Sequence, residues 1–147
     1  MTVKSNQQKK FQYLRHTADA KFQAFGETLE LAFANAVLAL ASLMWDPSKI
    51  SPAVKVEVTV DGKDWKQLLM VFLEELLFLL DTRNFLLHSV QNVIIQEAGP
   101  GYVLQGVFWG DMADADAEIF GSVKAVTYHE MEVHTGDRFL VQVVVDM

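Results

Sequence analysis

The chain has 147 residues, of which 51% are hydrophobic and 21% are charged, so it is long and apolar enough to bury the core of one domain. It has no cysteine, which excludes disulfides, thiolate metal ligands and a cysteine nucleophile. The net charge is −7, and eighteen of the nineteen acidic residues follow residue 21. Such an acidic body repels phosphate, so direct binding of nucleic acid is not expected.

The sequence shows no signal peptide and no stretch long enough to span a membrane. Residues 1–10 are polar and lack the apolar segment of a signal peptide, so we expect a flexible leader followed by one domain over residues 11–147. The longest apolar stretch without a charge is Leu31–Trp45, which at 15 residues is shorter than the roughly 20 that a membrane-spanning helix needs. A cytoplasmic protein without membrane contact is therefore expected.

The first part of the domain predicts two short strands and a helix. Phe11–Leu14 and Lys21–Phe25 have strand-like patterns, and polar residues including His16 and Asp19 lie between them. Thr28 is the predicted N-cap of a helix whose apolar residues recur at intervals of three and four.

A strand and a second helix follow. Valines alternate with polar residues from Val54 to Val60, which indicates a half-buried strand. Asp64 is the predicted N-cap of a helix running from Trp65 to about Asp81. This helix is apolar on most sides, which favours a central position in the core, although a partner could instead cover residues such as Met70 and Phe78.

From Phe85 onward the sequence predicts strands almost to its end. They are interrupted by turns and by an acidic loop, and they cover Leu87–Gln96, Tyr102–Trp109, Val123–His134 and Phe139–Val145. The predicted fold class is α+β, with two helices packed on a mostly antiparallel sheet of five to seven strands in a two-layer sandwich.

Tests for common catalytic and metal motifs are negative. No glycine-rich phosphate loop is present. The acidic run from Asp114 resembles the start of a calcium loop, but Ile119 stands where that loop requires glycine. His129 and His134 are five residues apart, not four as in the zinc motif HExxH. No catalytic residue is predicted.

Carboxylates near the two ends of the domain form the strongest candidate site. Asp19 lies in the polar junction, and the last predicted strand leads directly into Asp146 and the carboxylate of Met147. Neighbouring carboxylates repel each other, and a hard cation such as calcium relieves that repulsion. The alternative is an end that is simply solvated.

Five segments, in order along the chain, resemble motifs of the archease family. They are Tyr13–Asp19 (Y-x-x-H-T-A-D), Gly26–Phe33 (G-x-T-L-E-E-A-F), Leu73–Asp81 in the second helix, Val123–Met131 (V-K-A-I-T-Y-H-x-M) and the terminal Val145–Met147. Some positions depart from the family pattern. Arg15 stands where many members have an acid, and Ser122 and the loop Met112–Gly121 lack the usual residues, which puts partner contacts through that loop in doubt.

The resemblance implies a protein that assists the tRNA-splicing RNA ligase, promoting guanylylation of the ligase and its multiple turnover. It also implies a site for calcium or another divalent cation at Asp19, Asp146 and Met147. Contacts with the ligase are expected at His16, Lys124, Tyr128 and His129, although strand alternation makes some of these structural. The rival interpretations are a chaperone-like adaptor that binds through the apolar face of the second helix, and an enzyme in its own right.

Overall fold

The computed structural model describes residues 9–15 and 19–147. Within these residues it has two helices, α1 (Leu29–Ser42) and α2 (Trp65–Arg83), and a 3₁₀ turn at Pro47–Lys49. The strands within the described residues are β1 (Phe11–Leu14), β2 (Ala20–Gly26), β3 (Val54–Gly62), β4 (Phe85–Ala98), β5 (Gly101–Met112), β6 (Ala125–His134) and β7 (Phe139–Asp146).

Both helices begin at the residues that the sequence predicted. The hydroxyl of Thr28 accepts a hydrogen bond from the backbone N–H of Leu31 at 3.1 Å, which caps α1. The carboxylate of Asp64 accepts from the N–H of Gln67 at 2.8 Å, and the Gln67 side chain in turn accepts from the N–H of Lys63. Local hydrogen bonding of this kind can be predicted because its partners lie within four residues of one another.

The strands form two sheets, and every pairing between neighbours is antiparallel. One sheet has four strands in the order β1-β2-β7-β6, and the other has three in the order β3-β5-β4. Helix α1 packs mainly on β2 and β4, and α2 on β3 and β6, so each helix contacts both sheets. The α+β class is confirmed, whereas the division into two sheets was not predicted from the sequence.

The position of α2 explains its excess of apolar residues. Because it contacts strands of both sheets, Met70 is only 5% exposed, as expected of a central core helix. Phe78 is the exception, with 56% of its surface exposed. None of the helices in the described ranges is long and apolar enough to cross a membrane.

The four-stranded sheet has a core face and an outer face. Alternate residues of β7 (Val141, Val143 and Val145) belong to the hydrophobic core. The intervening residues Gln142 and Val144, and Asp146 after them, point the other way. Lys21 and Gln23 of β2 lie on this same side. We call this second side the outer face. Polar side chains cross it, since Gln12 donates to Gln23 and Gln23 donates to Gln142, each at 2.9 Å.

Candidate functional site

Two aspartates lie at the same end of the four-stranded sheet, where β2 begins and β7 ends. The final register pair of these neighbouring strands joins Ala20 to Val145. Asp19 precedes Ala20 and Asp146 follows Val145, so both acids extend directly beyond this pair. Cα atoms of directly opposed antiparallel residues are about 4.5–5.5 Å apart. The pairing of β2 with β7 therefore brings the two carboxylates to the same end of the sheet.

Strand β6 fixes the main chain of Asp146 from the other side. Ala125 is its register partner, and the backbone N–H of Lys124 donates to the Asp146 carbonyl at 2.8 Å. The Asp146 side chain remains exposed, as does that of Lys124. Met147, which follows β7, is 39% exposed. Asp146 is thus presented from an ordered backbone that leaves its carboxylate accessible.

The donor groups at this end are oxygen atoms, which are the ligands that a hard cation prefers. No group of three or more His, Cys, Asp or Glu side chains in the described part of the chain is arranged to hold a metal. Asp19 and Asp146 supply two carboxylates, and Met147, the third predicted ligand, has a main-chain oxygen directly after Asp146. Calcium accepts six to eight oxygen ligands in flexible geometry, including water and backbone carbonyls. Cation binding at these three residues remains a prediction.

Comparison with known proteins identifies the family. The model of the archease protein family (MTH1598/TM1083) matches residues 11–147. The chain belongs to the archease family. The archease of Pyrobaculum neutrophilum is 39% identical over 140 residues, which cover 93% of this chain and 95% of that protein. The archease of Methanosarcina barkeri is 37% identical over 145 residues, covering 97% and 99% of the two chains.

A solved structure agrees with the fold. The solution structure of Methanobacterium thermoautotrophicum protein 1598 superposes with a TM-score of 0.82 at 35% sequence identity. The match covers 94% of this chain and 99% of that one. The resemblance to archeases that the five sequence motifs indicated is therefore confirmed over almost the whole domain.

Among the residues predicted to contact the ligase, those that the structure describes lie at different places on the molecule. His16 lies outside the described residues, and Lys124 lies beside Asp146. Tyr128 is 52% exposed; its partial burial raises its pKa, and so do the negative charges of Asp64, the N-cap of α2, and Glu74 in α2. Tyr128 therefore lies near α2 and not at the Asp19–Asp146 end.

His129, the last of the predicted contacts, belongs to the outer face. Its Nε2 atom lies 3.0 Å from a carboxylate oxygen of Glu130. The other oxygen of Glu130 lies 2.7 Å from Nζ of Lys21. Sequence reasoning missed this cluster, because Lys21 and Glu130 are 109 residues apart and no local pattern relates them. The alternation of apolar and polar residues in β2 predicts only that Lys21 lies on the polar side of that strand.

Proposed function

We propose that this protein is a protein cofactor of the tRNA-splicing RNA ligase, the enzyme that joins 2′,3′-cyclic-phosphate or 3′-phosphate RNA ends to 5′-hydroxyl ends. It promotes guanylylation of the ligase and its repeated turnover in the cytoplasm, without catalysing a reaction itself. Membership of the archease family supports this role. So does the acidic character of the chain, which favours a protein partner over direct contact with RNA.

The single observation that carries the proposal is the register of β2 against β7, which extends directly to Asp19 and Asp146. Two unit charges about 4 Å apart repel each other by about 1 kcal/mol in water and about 4 kcal/mol at an effective dielectric near 20. Calcium or another divalent cation held by Asp19, Asp146 and Met147 would remove that repulsion.

The acidic end acts on the ligase by favouring one of its states. An activator raises guanylylation only if it binds the competent state of the ligase more tightly than the others. Asp19 and Asp146 present the charged surface for this contact, and the hydrogen bond from Lys124 holds the Asp146 backbone in place. The Lys124 side chain, exposed beside them, adds a cationic contact at the rim.

A guanylylation assay with the ligase of the same organism tests the proposal. Asp19→Ala and Asp146→Ala should each reduce stimulation at least about tenfold, since even outer-shell changes at metal sites have effects of this size. Asp137→Ala is the matched control, because it removes an exposed acid from the β6–β7 turn, at the opposite end of the same strands. Full stimulation by the Asp146→Ala variant would contradict the proposal.

The adaptor interpretation is the second candidate, and the exposure of Phe78 is the observation that favours it. Burial of Met70 reduces the apolar face that such an adaptor would use. Phe78→Glu should leave ligase stimulation unchanged if the acidic end is the working site. Loss of ligase binding with Phe78→Glu, together with normal binding by Asp146→Ala, would favour the adaptor.

A further inference from the structure

An ion pair crosses the outer face beside the Asp19–Asp146 end. Lys21 in β2 and Glu130 in β6 belong to the strands on either side of β7, and their charged atoms are 2.7 Å apart. Val144 of β7 is the register partner of Lys21 and of Thr127, so it lies between the paired strands. Val144 is only 1% exposed although it points to the outer face. The ion pair therefore joins the two strands that flank this valine.

An irregularity of β6 brings Glu130 into this position. Thr127 pairs with Val144 and Glu132 pairs with Gln142, so four residues of β6 stand opposite one residue of β7. Glu130 lies in this bulge with a φ of 52°, a left-handed conformation that is uncommon for a residue other than glycine. The side chain of Gln142, itself 6% exposed, donates to the Glu130 carbonyl at 2.8 Å. The unusual backbone is therefore held by a partly buried hydrogen bond.

Lys21 is close enough to the two aspartates to become their counter-ion. It lies two residues after Asp19, which immediately precedes β2, and Asp146 of β7 lies two residues after Val144, the register partner of Lys21. Residues two apart in a strand are about 7 Å from each other and share a face, and diagonal neighbours on adjacent strands are about 7–8 Å apart. A lysine side chain spans such distances, so without Glu130 the Lys21 ammonium can reach the carboxylates of Asp146 and Asp19 at this end of the sheet.

We propose that Glu130 is a positioning residue that holds Lys21 away from Asp19 and Asp146 and so keeps these carboxylates available for a divalent cation. The inference rests on the proposed function, because it assigns a determinant of affinity to the same site. Glu130 does not touch the cation itself. Its effect passes through Lys21, whose ammonium would otherwise occupy the position of the cation and neutralise its ligands.

A double-mutant cycle on calcium binding tests the inference. Calorimetric titration of the purified protein with calcium should show affinity about tenfold lower in Glu130→Gln, the order expected when an ammonium neutralises a nearby carboxylate. Lys21→Gln and the double variant Lys21→Gln/Glu130→Gln should bind calcium as the wild type does. Neither variant has the Lys21 ammonium that could pair with the aspartates. Glu132→Gln is the matched control, since it removes an acid of the same strand whose carboxylate contacts His134 and Gln142 and not a lysine.

The cycle separates positioning from a simple change of charge. If Glu130→Gln weakens calcium binding equally with and without Lys21, the carboxylate acts only through its own charge and the proposal is overturned. Circular dichroism and thermal melting of each variant establish that the fold is retained.

A crystal structure of Glu130→Gln without metal gives a readout that does not depend on calcium. The Lys21 Nζ atom should lie within about 4 Å of an Asp19 or Asp146 oxygen, as in an ion pair. Lys21 remaining clear of both aspartates would overturn the proposal. Failure of the wild type to bind calcium would instead refute the cation site of the proposed function, while the position of Lys21 would still be determined.

Discussion

Replacement of Gly121 by alanine should destabilise the protein, because the loop that delivers Lys124 to Asp146 packs against the end of α1 at this glycine. A Cβ atom added to Gly121 would lie 2.2 Å from the carbonyl oxygen of Leu43, a backbone atom that cannot move aside without its neighbours. The adjacent backbone N–H of Phe120 donates to the Met44 carbonyl at 2.9 Å. The alanine must therefore displace the loop and break or stretch this hydrogen bond.

The magnitude follows from these two contacts. Overpacking of a well-packed site costs about 1–3 kcal/mol, and loss of the hydrogen bond adds about 1 kcal/mol. Gly121→Ala should therefore lower the free energy of unfolding by about 2–4 kcal/mol. For a domain of this size, that corresponds to a fall in Tm of about 5–15 °C.

Denaturant unfolding and thermal melting followed by circular dichroism measure the effect. Gly136→Ala is the matched control, because a Cβ atom at Gly136 has no neighbour within 4 Å and Gly136 does not have a positive φ. The control should be neutral or more stable by up to about 1 kcal/mol, through reduced entropy of the unfolded chain. Equal stability of the Gly121→Ala variant and the wild type would refute the proposed close packing of this loop.

Two further predictions concern the helix cap and alkaline pH. Asp64→Ala should lower the free energy of unfolding by about 1 kcal/mol in denaturant titrations, because the Gln67 N–H loses its acceptor, whereas Asp61→Ala in β3 should change it by less than half as much. Burial raises the pKa of Tyr13 to about 12 from its ordinary value near 10, so its contribution to stability is complete below pH 10 and is lost as pH rises towards 12. Tyr13→Phe should therefore lose less stability than the wild type between pH 9 and 11.5, and a parallel loss in both proteins would contradict the assignment.

Local signals in the sequence were enough to predict the elements of the fold. The helices begin after Thr28 and Asp64 because the capping side chains and their partners lie within one turn of each other. The alternating valines from Val54 onward form β3, since every second side chain of a strand has the same exposure. These features need no knowledge of distant contacts, and the structure agrees with each of them.

The division into two sheets depended on contacts that no local pattern encodes. The sequence showed that α2 is apolar on most sides, but not that strands of two different sheets would cover it. Strand pairing joins residues separated by long stretches of chain, and alternation shows which side of a strand is buried without showing which strand lies beside it. The pairing of β2 with β7 is of this kind.

The candidate site likewise depends partly on the sequence and partly on the tertiary structure. By itself, the sequence determined which residues carry suitable chemistry, since Asp19, Asp146 and the archease motifs around them can be read from the chain. Only the tertiary structure decided that these aspartates extend adjacent strands, and that a bulge with a left-handed Glu130 places a carboxylate opposite Lys21. The physical reason is that charge and hydrogen-bonding capacity belong to a residue, whereas distance belongs to the register of strands that meet only when the whole core forms.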